Sequence, residues 1–166
     1  MSVVMPIFNI IYSLGLFMGI GGSVLYSLEK GRRENGCCNE FFSTALLGTA
    51  ALAAIAWTGI VFFGEPLLRL FGAEQTLLPL TKAYLFPIKI VIPVFVFNQM
   101  LAAFLRNDNA PGLATAAVLG GGIFNVFGDY FFVFAMDMGI LGAGLATAAG
   151  ACITLLIMLT HFFSKR

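Results

Sequence analysis

The chain has 166 residues, of which 60% are hydrophobic and 10% charged, with a formal net charge of +1. Soluble domains run at roughly 45–50% apolar and about 25% charged residues, so this composition excludes water as the main solvent of the chain. Near-neutrality also excludes the dense basic patch by which proteins bind nucleic acid, and that partner class is set aside.

A helix that crosses a bilayer needs about 20 mostly apolar residues. Five such runs are separated by short charged or turn-rich segments, which predicts an all-α integral membrane protein of about five transmembrane helices with the lipid bilayer as its surroundings. The runs do not alternate polar with apolar residues as barrel strands do. The first predicted span covers residues 3–28. It has no basic leader and no small-residue cleavage site, so it reads as a membrane span and not as a removed signal. Within it, Gly19-Ile20-Gly21-Gly22 follows no strand, and is therefore a helix-packing surface instead of a phosphate loop. The polar stretch Glu29 to Gly36 ends the span. Cys37 and Cys38 follow, and with Cys152 they are read as free thiols, because no second pair stands at metal-ligand spacing.

The second span is predicted over residues 41–63, followed by an amphipathic segment, Gly64 to Gln75, expected to lie at the interface. The third runs from Leu77 or Tyr84 to Leu105, the fourth over residues 112–134 and the fifth over residues 140–163. Trp57 and the many phenylalanines are expected to face lipid or fill the core. Lys30, Arg32, Arg33, Arg106, Lys165 and Arg166 gather at one side of the predicted spans, against Arg69 and Lys82 at the other. The excess of positive charge in cytoplasmic loops then puts the amino terminus outside and the carboxyl terminus inside the plasma (inner) membrane. That arrangement is awkward for a chain beginning directly in a hydrophobic helix, and it implies that an upstream part is missing.

An ionisable side chain inside a bilayer costs about 2.5 kcal/mol or more, so each is a candidate functional site. Asp129 in the fourth span and Lys89 in the third qualify. Asn125 lies four residues before Asp129, on the same helix face. Counting about 1.5 Å per residue from the turn near Asp137 puts Asp129 roughly 12 Å deep, Asn125 roughly 18 Å and Thr147 of the returning helix roughly 15 Å. Such a set exchanges a proton or holds sodium through neutral oxygens. The alternative reading has Asp129 reaching the outer interface or capping a neighbouring helix. Lys89 sits between Pro87 and Pro93, which bend the third span, and either borders a cavity or extends to the headgroups. Asn98 and Gln99 line a polar path or bond between helices. His161, the only histidine, is given an interfacial role near a helix end. With no Ser-His-Asp set, paired catalytic carboxylates or metal cluster in view, the chain is not read as an enzyme.

Three stretches carry a family resemblance: Gly19 to Gly31, the turn Leu105 to Pro111, and Ile123 to Tyr130 followed by Met138 to Thr147. In that order they resemble the multidrug and toxic compound extrusion (MATE) transporters. The resemblance implies that the five spans correspond to helices two to six of a twelve-helix protein built from two six-helix lobes, so that the chain is part of the amino-terminal lobe. It implies a cation-coupling site at Tyr84, Asn125, Asp129 and Thr147, completed by an aspartate on a first helix that this chain lacks, as it lacks the second lobe. The implied activity is antiport, exporting drugs or organic cations in exchange for protons or sodium, with no cofactor beyond the coupling ion. Two rivals are an exporter of lipid-linked sugars, for which Lys89 would supply the cationic cavity, and a non-transporting membrane scaffold.

Overall fold

The computed structural model describes residues 3–31 and 38–164. Its elements are α1 (Met5–Gly31), α2 (Cys38–Leu70), α3 (Leu78–Asn107), α4 (Pro111–Asp129), a π-helical segment (Tyr130–Ala135) and α5 (Gly139–Ser164). Among the described residues, five helical stretches are long and apolar enough to span a membrane, in agreement with the five predicted spans. Cys37 and the basic residues Arg32, Arg33, Lys165 and Arg166 lie outside the described residues.

α3 is the central helix. About 61% of its apolar stretch is buried, against 17–33% for the other four, because α1, α2 and α5 pack around it while α4 packs mainly on α5. Burial of that kind allows α3 to be apolar all round, with Ile88, Ile92, Val96 and Met100 wholly enclosed. α1 approaches it through Gly15 and Gly19: a Cβ at Gly19 would stand 2.9 Å from Met100 Cα, and one at Gly15 would strike the Val96 carbonyl. Gly22 likewise abuts Ala45 and Phe104, whereas Gly21 has nothing within 4 Å. The glycine run is thus a packing surface on two of its faces, as small residues in membrane helices allow. Trp57, Phe62 and Phe63 point away from the core, 44%, 75% and 63% exposed.

Segment 64–75 departs from the expectation of a separate interfacial piece. α2 runs on through Gly64, Glu65 and Pro66 to Leu70. The continuation carries Leu68 into the core, where it is 1% exposed beside Leu85 and Ile88. The helix stops at Gly72, whose φ of +91° is open to glycine, with Gly72 N–H donating to the Arg69 carbonyl and Ala73 N–H to the Leu68 carbonyl. Glu65 meets Arg69 at 3.0 Å and Lys82 at 2.5 Å, tying α2 to α3 at that end.

At the opposite end α3 closes on Asn109, at φ +59°, with Ala110 N–H donating to the Leu105 carbonyl. Pro111, whose missing N–H is no loss in a first turn, then starts α4. After Asp129 the fourth span changes to the π-helical Tyr130–Ala135 before the turn at Asp137 and Gly139. Gly142 of α5 makes room for it, since a Cβ there would lie 2.9 Å from the Phe132 carbonyl carbon.

Candidate functional site

α4 and α5 cross where Gly121 meets Gly150. A Cβ on either would lie 2.6–2.7 Å from the other's carbonyl oxygen, so only glycine permits the approach. The crossing sets the polar residues of α4 and α5 beside those of α3. Thr147 is the hub. Its hydroxyl donates to the Ala143 carbonyl at 2.9 Å and receives the Asn125 amide at 3.2 Å, while the Tyr84 hydroxyl stands 3.3 Å away. With its own proton committed to Ala143, Thr147 accepts from both neighbours. Tyr84, Asn125 and Thr147 therefore meet, although 63 and 22 residues separate the bonded pairs.

Asp129 lies one turn from Asn125 on the same face. Its Oδ1 is buried without a hydrogen-bond partner among the described residues, and no bond joins it to the Thr147 cluster. Asn98 shows the same incompleteness: its amide donates to the Ala151 carbonyl at 2.9 Å, tying α3 to α5, while its buried Oδ1 has no partner. Buried polar atoms are almost always paired, so these two oxygens stand out among the described residues.

Asn98 lines a groove of about 360 Å³ between α3, α4 and α5, together with Gln99, Asn125, Thr147 and Thr154 among others; Asp129 is not among the lining residues. Tyr12 borders it from α1, and Arg106 stands at its basic end. Asn98 thus serves both predicted roles, lining the groove and bonding two helices. Lys89 does not line it. Its ammonium lies against α2, where a Cβ at Gly64 would come within 3.0 Å of Nζ. Three polar lining residues were not expected at the site from sequence: Tyr12, Arg106 and Thr154. Only Thr154 carried a signal, being two turns beyond Thr147 on one helix face.

Comparison with known proteins decides the family. The MatE family model matches residues 1–131.

The chain belongs to the MatE family.

This MatE chain is 27% identical over 164 residues to the multidrug export protein MepA of Staphylococcus saprophyticus, covering 99% of the chain and 36% of the relative. It is 25% identical to MepA of Staphylococcus aureus over the same 164 residues. It spans little more than a third of the length of these relatives. Among solved structures it superposes on an inward-facing multidrug resistance MATE family transporter with a TM-score of 0.93 at 23% identity, covering 99% of this chain and 38% of that one. The outward-facing form gives 0.87 at 23% identity, again over 99% of this chain and 37% of that one. The shared fold is that of a multi-pass membrane transporter, and the relatives are named for export and not for an enzymatic reaction.

Proposed function

We propose that this chain is the part of an amino-terminal MATE lobe that carries the coupling site of an antiporter, exporting organic cations or drugs against inward movement of protons or sodium. The observation that carries the reading is the buried, unpartnered Asp129 Oδ1, one turn from the Tyr84–Asn125–Thr147 cluster. A carboxylate in a low-dielectric setting is costly unless a proton or cation joins it. Neutral hydroxyl and amide oxygens nearby suit a hard cation, which prefers oxygen ligands, and Asn98 and Gln99 furnish the groove with acceptors for an ammonium group.

In this reading the end bearing Lys30 and Arg106 faces the cytoplasm, following the positive-inside rule. A first helix and a second lobe supply the remainder of the pathway. A lipid-linked sugar exporter gains less support, since Lys89 sits outside the groove. The test is Asp129→Asn in a full-length protein containing this chain. Coupled efflux of a fluorescent organic cation such as ethidium should fall to background at unchanged membrane expression; undiminished efflux would refute the proposal.

A further inference from the structure

Arg69, Lys82 and Lys89 gather at the end of the bundle where α2 finishes and α3 starts. Arg69 meets Glu65 Oε1 at 3.0 Å and Lys82 meets Oε2 at 2.5 Å, so both oxygens of that carboxylate are occupied. Lys89 follows Lys82 by seven residues and therefore lies two turns away on the same stripe of α3. No carboxylate among the described residues pairs with it. At the opposite end Lys30 is placed differently, pairing with Asp108, the residue capping α3, whose carboxylate also meets the Tyr26 hydroxyl and His161. Lys89 is a cation in a spanning helix with no such counter-charge.

Gly64 makes the place where Lys89 ends. A Cβ there would stand 3.0 Å from Lys89 Nζ and 3.1 Å from Cε, so the missing side chain lets the ammonium rest in the seam between α2 and α3. The surface around the seam is apolar and faces outward: Phe62, Phe63, Phe86 and Ile90 are all exposed, and Phe86 lies between Lys82 and Lys89 along α3. Depth agrees with a place at the headgroups. The 30 residues of α3 are about 45 Å long, against about 30 Å of hydrocarbon, which leaves about 7 Å beyond the core at each end. Lys89 Cα, about 16 Å from the start of α3, is then about 9 Å inside the boundary. Side chains on a helix lean toward its N-terminus, which here is the near surface, so the ammonium rises toward the phosphate level.

We propose that the seam between α2 and α3 binds an anionic phospholipid, whose phosphate sits on the Lys89 ammonium within the positive field of Lys82 and Arg69. Basic residues set between spanning helices attract anionic headgroups in this way. The charge balance selects the lipid. Three cations stand against the single carboxylate of Glu65, which leaves positive charge in excess. A zwitterionic lipid brings an ammonium of its own and gains little in that field, whereas a phosphatidylglycerol headgroup brings net negative charge. The acyl chains then run along the outward face of α2. Trp57, seven residues before Gly64 and on the same stripe, lies about 10 Å deeper along their course.

Trp57 is the chain's only tryptophan, which makes it a reporter for such a lipid. The test is quenching of its fluorescence by phospholipids brominated on the acyl chains, in mixed micelles of the purified chain, with phosphatidylglycerol and phosphatidylcholine compared at equal bromine content. Phosphatidylglycerol is expected to quench at about fivefold lower mole fraction. Lys89→Gln should remove most of that preference, and Lys89→Arg should keep it, which separates loss of charge from loss of fold. Asp129→Asn should leave it unchanged. Equal quenching by the two lipids, or a preference that survives Lys89→Gln, overturns the proposal. Competition by inorganic phosphate would also overturn it, by putting a soluble anion at Lys89 in place of a lipid. Because the readout is lipid preference, its failure is separable from a failure of the efflux test on Asp129.

Discussion

The two polar centres of this bundle are built on opposite principles. Around Asp108 both carboxylate oxygens are engaged, by residues from α1 and α5. Around Thr147 the hydroxyls and one amide are engaged, yet the Asp129 and Asn98 carbonyl-type oxygens beside them are not. A buried polar group without a partner costs about 1–3 kcal/mol. The first centre therefore holds helices together as it stands, and the second gives up stability to keep oxygens available. Mutation should reveal the contrast directly.

The largest effect is expected at the crossing that creates the groove. Gly121→Val drives side-chain atoms into Thr154 and the Gly150 carbonyl, and should cost roughly 3 kcal/mol through overpacking. A thermal melt of the purified chain in detergent should show it, and a melting temperature equal to that of the unaltered chain would mean that α4 and α5 do not cross there. Next comes Asp108→Asn, which removes a carboxylate that meets Tyr26, Lys30 and His161 and should cost about 1–2 kcal/mol, the Lys30 share being small because that side chain is largely in solvent. Gly72→Ala forces an alanine to φ +91° and should cost about 1 kcal/mol by the same measurement. The smallest change belongs to Asp129→Asn, within about 0.5 kcal/mol of the unaltered chain, because the oxygen it alters has no bond to lose. Equal destabilisation by Asp108→Asn and Asp129→Asn would erase the distinction between the centres, while a clear gap would sharpen it.

Much of this architecture was legible from apolar run lengths, because each helix must cross the same thickness of lipid and little else can be so apolar. The Asn125–Thr147 meeting was legible too, since helix rise fixes depth and a short turn forces α4 and α5 to be neighbours. The continuation of α2 to Leu70 was not legible, because nothing nearby in sequence reveals that Leu68 joins Leu85 in one buried cluster. The Asp108 assembly was out of reach on similar grounds. Its partners Lys30 and His161 are 78 and 53 residues away, and a carboxylate in a polar turn looks the same with or without them. The shift from α to π after Asp129 leaves no trace in composition at all.

That shift has a consequence for how this stretch of chain tolerates change in length. A π turn holds one residue more than the α turn it replaces, and one residue is worth about 100° of rotation in a regular helix. Tyr130–Ala135 can therefore be regarded as a stored insertion, absorbed where Gly142 leaves space. Removing a single residue from it should yield an ordinary helix with Asp129 and the Asp137 turn still facing as before, whereas the same deletion inside α3 would turn half of the protein's core toward lipid.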